Sequence, residues 1–537
     1  MAASHSSSAV ACFANDRRAP IDEQLAPGAR MTRRQVVFVY GGVLLGMVLA
    51  SLDETIVATA LPRIVGDLHG LAHLSWVVTA YLLASTLTVP LYGKLSDIFG
   101  RKALFLVAIS IFLAGSALSG LSRNMTQLII FRGIQGLGAG GVIPVAQAII
   151  GEIFSPRERF RYQGYSGAVF ASSSIIGPLL GGYLTDTLSW RAIFYINLPL
   201  GVLALCVIIT TMHLPIQRRE HPVDILGSVL LMATVTPLLL VTVWAGSATT
   251  ADWPMMSGLI LTGLIMAGAL VTVERRAHDP ILPLRLFGNS IFVVASAAAL
   301  LIGAARLGVT IYLPVFMQGV IGTSATHSGA VLIPLLISWT VASVAAGQII
   351  TRTGHYRIWP ISGSLTCLAG FGLLSRLNVH STPRDAVLSM VVIGLGMRQM
   401  FQTFVVATQN AVPRSELGIA TASIQFFRTI GATFGTAMFG SLLTWRLSAE
   451  LAVRLEGSAR DISSSALLAG TIGLTDLPSH TVQAVRLALG SALHTAFLMG
   501  LPLMALALVA ALALKELPLR TTSYVQNVGD GDSISAP

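Results

Sequence analysis

Two acids and a cation stand where ionisable chemistry is expensive. Leu52-Asp53-Glu54-Thr55-Ile56-Val57-Ala58-Thr59-Ala60-Leu61-Pro62 ends a long apolar run. An acid at membrane depth costs about 2.5–3.5 kcal/mol on insertion scales, so it persists there only when neutralised, paired or set in a wet cavity. A carboxyl group held out of water exchanges a proton reversibly, which suits Asp53 to carry one. Neighbouring helical residues point about 100° apart, so Asp53 and Glu54 cannot share a face. One should meet a central cavity, and the other a neighbouring helix or the outer rim. Asp53 is the expected proton site and Glu54 the alternative carrier; a plain interfacial pair is the structural reading. In another apolar run stands Phe131-Arg132-Gly133-Ile134-Gln135-Gly136-Leu137-Gly138. Arg132 is an obligate cation, whose expected work is to bias the protonation of a nearby acid, with Asp53 the best candidate. Gln135 lies one helical turn on and is expected to face a substrate or proton path. Arg306, Arg398, Gln399, Gln402 and Arg428 interrupt later apolar runs. With Gln135 they are candidates for a substrate cavity, unless some lie at span ends and snorkel. Cations lining a cavity fit an anionic substrate better than a cationic one.

The elements that position these groups follow from composition. Of 537 residues, 54% are apolar and 11% charged, whereas soluble domains carry about a quarter charged residues. Lipid must be the solvent for most of the fold. A spanning helix needs about 20 apolar residues. Fourteen such segments are expected near 36–61, 74–95, 103–121, 126–152, 161–185, 192–212, 225–245, 256–274, 290–317, 326–350, 358–376, 386–410, 418–444 and 491–513. Their length and continuity favour helices over a closed barrel. Net charge is +10, but Lys and Arg sit in short loops rather than in a stripe with aromatics, so membrane orientation explains them and nucleic acid does not. Of the 34, 21 fall on the side of the N-terminus, nine opposite and four inside spans, which places both termini in the cytoplasm. Residues 1–34 and 518–537 are expected as disordered cytoplasmic tails, with Met31 a possible translation start. A long external loop is expected over about 446–490. Cys12, Cys206 and Cys367 lack metal-ligand or disulfide spacing, so no metal is expected.

An internal repeat organises the spans. Gly93-Lys94-Leu95-Ser96-Asp97-Ile98-Phe99-Gly100-Arg101-Lys102 follows the second span, and Gly347-Gln348-Ile349-Ile350-Thr351-Arg352-Thr353-Gly354-His355 follows the tenth. Aligning Gly93 with Gly347 puts Gly100 on Gly354, Asp97 on Thr351 and Arg101 on His355. Two parallel six-helix halves with a site between them are a transporter architecture. Gly93 and Gly100 permit close approach and a tight turn. Asp97 is suited to a helix N-terminus in the other half, where a carboxylate gains about 0.3–1 kcal/mol. Arg101 is placed to hold Asp97 or Glu152.

In these motifs the chain resembles the major facilitator superfamily, in its fourteen-helix drug:proton antiporter branch, over about 36–520. The resemblance implies an all-α polytopic membrane protein with the major facilitator fold. Its parts would be an N-terminal six-helix bundle (35–213), a cytoplasmic linker with two extra transmembrane helices (214–286) and a C-terminal six-helix bundle (287–517). It implies that Gly93, Asp97, Gly100, Arg101 and Lys102 form a conformational latch, weaker in the second copy, which lacks the acid. Gly164, Gly177, Pro178, Gly181 and Gly182 resemble an antiporter motif, with Ser173 where the family has another Gly. At Ala58 the family usually has Asn. Trp190-Arg191-Ala192-Ile193-Phe194-Tyr195-Ile196-Asn197-Leu198-Pro199 resembles a hallmark of the branch and reads as a structural marker, not a site.

The function expected is a proton-coupled multidrug efflux transporter of the cell membrane, exporting small amphipathic or cationic compounds. Its partners would be a small-molecule substrate, protons and the lipid bilayer; a monomer is plausible and the sequence leaves the oligomeric state open. No cofactor is expected: the chain lacks a Walker loop, so the proton motive force and not ATP would drive transport. A nucleophile triad is also missing, which speaks against an enzyme. Two alternatives are a dedicated exporter of one metabolite, siderophore, antibiotic or lipid, and a nontransporting membrane sensor or scaffold.

Overall fold

A computed structural model describes residues 31–68, 74–212, 224–244, 253–277, 280, 283–323, 331–454, 479–519 and 527–528. Beyond one two-residue strand pair, it is helical. The N-terminal half comprises α1 (Arg33–Leu68), α2 (Leu74–Phe99), α3 (Arg101–Leu121), α4 (Met125–Ile153), α5 (Pro156–Thr187), and a sixth path broken at Ile196 into α6 (Ala192–Tyr195) and α7 (Asn197–Thr211). Two linker helices follow, α8 (Ile225–Trp244) and α9 (Trp253–Glu274). The C-terminal half comprises α10 (Ser290–Phe316), α11 (Ile333–Thr353), α12 (Ile358–Leu374), α13 (Pro383–Ala411), α14 (Leu417–Arg454), and a last path of α15 (Ser479–Leu498) and α16 (Gly500–Ala513). Among the described residues, eleven paths are long and apolar enough to cross a bilayer, with Leu226–Val241 and Ile358–Leu374 as shorter apolar helices. Adding α14 gives the fourteen passages expected.

Helix ends are written in local chemistry. Ser155 accepts from Glu158 N while the Glu158 carboxylate reaches back to Ser155 N, with Pro156 at the first position. Thr382, Pro383 and Asp385 repeat that box at α13. Gly100 begins α3 with φ 90°, and Gly354 ends α11 with φ 77°, a backbone that side chains with a Cβ resist.

Close helix packing comes from glycine. A Cβ on Gly136 or Gly140 would meet the carbonyls of Tyr81 and Ser85 on α2, and one on Gly138 would meet Phe112 and Ala108 on α3. The run that carries Arg132 therefore wedges α4 between α2 and α3. In the other half, Gly303 abuts the Arg428 carbonyl, Gly431 the Leu300 carbonyl and Gly435 the Ala304 backbone, which presses α10 onto α14. Each half has its own apolar core. The linker helices pack Leu231, Val235, Leu239 and Leu270 against Val89 of α2 and Ala422 and Phe426 of α14, spanning the junction of the halves.

Three expected boundaries move. The external loop over 446–490 is helical at both ends, since α14 continues to Arg454 and α15 begins at Ser479; residues 455–478 lie outside the described residues. The polar side chains that made 446–454 look like loop are Arg446 and Arg454, which pair with Glu450 at 3.0 and 2.9 Å one turn away, while Ser491 donates to Glu450 at 2.9 Å. The last span accordingly starts twelve residues before 491. The N-terminal tail expected over 1–34 ends earlier: Met31–Thr32 pair in parallel with Asn527–Val528, and α1 starts at Arg33. That ladder brings the first and last described residues to one face. Residues 1–30 and most of 520–537 lie outside the described residues.

The α10–α14 contact gives a direct test. Gly435→Leu would drive a side chain into Ala304 backbone and should destabilise the protein by about 1–3 kcal/mol. Gly258→Leu, with nothing within 4 Å of its Cβ position, should stay within about 0.5 kcal/mol of wild type. Melting of the two purified variants in detergent checks the contrast.

Candidate functional site

Asp53 is fully buried inside the N-terminal half. Arg132 Nη1 donates to its Oδ2 at 2.8 Å, and Gln135 Nε2 and Asn197 Nδ2 donate to its Oδ1 at 2.8 and 3.0 Å. Helices α1, α4 and α7 thus meet on one carboxylate. Arg132 also donates to Gln135 Oε1 at 2.8 Å and to the Val77 carbonyl at 3.4 Å, and its guanidinium lies 4.0 Å from the Tyr81 ring centroid. A buried charge is tolerated only when paired and hydrogen-bonded, and this one has a cation and two amide donors. The geometry depends on glycine: Gly115 of α3 lies against the Gln135 backbone, and Gly177 of α5 against Thr55 beside Asp53.

Sequence reasoning missed Asn197, taken above as part of a structural marker. The signal was present, because a fully buried amide opening an otherwise apolar helix needs polar partners. Its Nδ2 also donates to Ser116 Oγ at 3.0 Å, and Ser116 donates to the Phe194 carbonyl at 2.9 Å. Among the described residues, Asn197 Oδ1 is buried without a partner.

Glu54 points away from this cluster, as the 100° offset requires. It is exposed and lies within electrostatic reach of Arg306 on α10 and Arg428 on α14. It faces the space between the halves. Arg428 donates to Gln425 at 2.9 Å and lies 5.3 Å from the Phe401 ring centroid. The remaining cavity candidates are bound up in packing. Arg398 donates to Ser343 Oγ at 3.0 Å and, across the halves, to the Gln163 carbonyl at 3.2 Å. Gln402 donates to the Phe160 carbonyl at 2.7 Å and accepts from Ser343. Gln399 accepts from Ser362 at 3.2 Å, and Gln135 belongs to the Asp53 cluster.

The repeated loops lie at the face that carries the Met31–Thr32 and Asn527–Val528 ladder, where the halves are joined. Asp97 accepts from Gly418 N at 3.0 Å and Ile419 N at 2.9 Å, at the start of α14 in the other half. Arg101 reaches Asp97 at 3.4 Å and Glu152 at 2.7 Å, and Glu152 also pairs with Arg414. A Cβ on Gly93 would strike Ala422. Lys102 departs from the expected latch: it donates to the Ile209 carbonyl at 2.9 Å, capping α7 in its own half. The second copy joins the halves with opposite chemistry. Arg157 donates to the Thr351 and Arg352 carbonyls at 2.5 and 2.6 Å, and Thr351 Oγ1 donates to the Arg157 carbonyl at 3.0 Å.

On α5, Gly164 packs on Ser343 and Val344 backbone, while Gly182 has nothing within 4 Å of its Cβ position. Gly181 is buried and Pro178 exposed. Among the described residues, no group of three or more His, Cys, Asp or Glu could hold a metal ion.

Comparison with known proteins agrees with this architecture. A family profile described as Major Facilitator Superfamily matches residues 43–436. Multidrug transporter protein MdtP of Bacillus subtilis (strain 168) is 37% identical over 506 residues, covering 89% of this chain and 93% of its own. Multidrug resistance protein 3 of the same organism is 33% identical over 498 residues, covering 90% and 96%. Among solved structures, the human organic anion transporter MFSD10 (TETRAN) has a TM-score of 0.61 at 14% identity, covering 89% of this chain and 99% of that one. At that identity the likeness is one of fold.

The joined face yields a second test. Asp97→Ala removes a carboxylate that caps two N–H groups and should weaken the closed seam by about 1–3 kcal/mol, roughly a tenfold shift in the opening equilibrium. A cysteine replacing buried Thr421, in a chain whose native cysteines are changed to Ser, should then react faster with a maleimide. Equal labelling rates would show that Asp97 does not hold the seam.

Proposed function

The chain belongs to the Major Facilitator Superfamily and is a polytopic membrane transporter, and from that premise we propose that it is a drug:proton antiporter exporting small amphipathic compounds, cations included, by alternating access. One observation carries the coupling: Asp53 is sealed inside the bundle in an ion pair with Arg132, one residue from Glu54, which is exposed and within electrostatic reach of Arg306 and Arg428 in the other half. The names of the two Bacillus relatives support export of several compounds.

The cycle follows from charge balance. In this reading the cell membrane holds the protein with both termini in the cytoplasm, so the joined face is cytoplasmic and the cavity opens outward. A proton arriving from outside neutralises Asp53. Arg132 then loses its counter-ion, and a neutral carboxyl no longer needs donors from both α4 and α7. The three helices loosen, the halves rock, and the seam at Asp97 and Arg157 opens. Proton loss to the cytoplasm restores the pair, with solute taken up from the inner side. Each entering charge releases about 2.3 kcal/mol per 100 mV of membrane potential, and no ATP is required. Glycine packing of α5 on α1 at Gly177 keeps the proton site in register with that motion. A dedicated exporter would use the same steps with a narrower cavity.

Proteoliposomes with an imposed pH gradient test the coupling. Wild-type protein should move a panel of amphipathic dyes only while the gradient stands, and an uncoupler should stop it. Asp53→Asn should fold, because Arg132 keeps Gln135, the Val77 carbonyl and Tyr81, but lose about 3–5 kcal/mol of stability, since the Arg132 charge is left without its counter-ion. Its transport should fall to the level of empty liposomes. Gradient-driven export at the wild-type rate by this variant would place the proton site elsewhere. Export of one compound from the whole panel would favour the dedicated exporter.

A further inference from the structure

The charge left over in the cavity points to a solute class. Arg132 is spent on Asp53 inside the N-terminal half. On the opposite wall, Arg306 and Arg428 are brought together by the close contact of α10 with α14 at Gly303 and Gly431, and they lie within electrostatic reach of each other. Arg428 uses Nε on Gln425 and lies over Phe401. Arg306 Nε is buried without a partner, and among the described residues its guanidinium makes no hydrogen bond. Among the described residues, Glu54 is the one acid within electrostatic reach of both. Two guanidiniums, neither able to shed its proton, therefore face one carboxylate. A surplus cation at membrane depth is costly, and a planar fork of donors is the geometry that takes a carboxylate in two parallel bonds.

We propose that the space between the halves is an organic-anion site, in which Arg306 and Arg428 hold a carboxylate or similar single anionic group, Phe401 takes the adjoining apolar body, and Glu54 on the facing wall opposes it. The assignment deepens the export reading and rests on it. It reverses the preference for cations, since a cationic solute gains one carboxylate and meets two guanidiniums. Glu54 then sets charge selectivity while Asp53 keeps the proton.

The test uses two probes with one apolar body and opposite charge, 2-naphthoate and 2-naphthylmethylammonium. Binding is measured on the full chain in nanodiscs of phosphatidylcholine, whose headgroups carry no net charge. Naphthoate should bind more tightly than its cationic twin. Arg306→Gln and Arg428→Gln should each weaken naphthoate about tenfold or more, as loss of a charge-assisted hydrogen bond does, and leave the cation unchanged or tighter. Glu54→Gln should tighten naphthoate several-fold. Because Arg428 also packs on Phe401, Arg428→Lys retains the charge if the Gln variant fails to fold, and it should keep the preference for the anion. Failure of naphthoate to outbind the cation, or an equal loss of both probes in Arg306→Gln, overturns the anion site. Gradient-driven efflux of the cationic probe in that event would leave the export reading standing.

Discussion

The bond between Asp53 and Arg132 is the constraint around which the N-terminal half is organised. Lipid cannot solvate either charge, so each must be satisfied by protein. Breaking such a pair by removing one partner costs about 3–5 kcal/mol, because the remaining charge is stranded. Three helices must therefore meet at one carboxylate to within a hydrogen-bond length. Bulky side chains would hold them apart. The glycines at 115, 136, 138 and 140 let backbone lie on backbone, and Gly177 admits the Thr55 side chain; that closeness brings Arg132, Gln135 and Asn197 to Asp53. The break at Ile196 between α6 and α7 has the same logic, since it lets Asn197 begin a helix at the depth of the carboxylate.

The seam between the halves uses helix ends as electrostatic fixtures. A helix N-terminus presents unpaired N–H groups and a C-terminus unpaired carbonyls. Asp97 answers the first at α14, and Arg157 answers the second at α11. The two repeats are thus related in backbone but opposite in charge. Loss of the acid at Thr351 does not leave the second copy idle, because the cation comes from α5 of the other half and the threonine hydroxyl still bonds across. Both fixtures are hydrogen bonds worth about 1.5–3 kcal/mol each when one partner is charged, strong enough to bias a two-state motion and weak enough to be reversed within it.

How far the sequence could be read depended on the physics that writes each feature. The fourteen passages were legible because lipid imposes a length and a polarity on every span. Asp53 with Arg132 was legible because an acid and an arginine inside apolar runs must find each other. Asn197 was not, because an amide carries no charge to betray it and the aromatics before it suggest only an interface. The extension of α14 to Arg454 was hidden by its own surface pairs, since Arg446, Glu450 and Arg454 satisfy one another along a helix that hydropathy reads as loop. Arg398 and Gln402 resembled cavity residues in sequence, but their partners are carbonyls of Gln163 and Phe160 on the opposite half, and such long-range partners leave no local pattern. Lys102 sits beside Arg101 in the chain, yet the turn at Gly100 sends it to the end of α7.

In the proposed cycle, the two adjacent acids separate tasks that a single acid would have to combine. A carboxyl that both carries the proton and touches the solute exposes its proton to whatever solute is bound, so coupling changes with the cargo. On a helix, the step of about 100° between neighbours sends Asp53 into the bundle and Glu54 to the cavity. Asp53 then meets the same three donors, Arg132, Gln135 and Asn197, whatever the cavity holds. Glu54 is exposed and faces the cations of the other half, outside the hydrogen bonds that hold Asp53. The link between them is mechanical: both ride on α1, which is tied to α4 and α7 through Asp53 and to α5 through Thr55 at Gly177. In the proposed cycle, a change in proton occupancy at Asp53 shifts the helix that positions Glu54, which would let one proton site serve chemically different solutes.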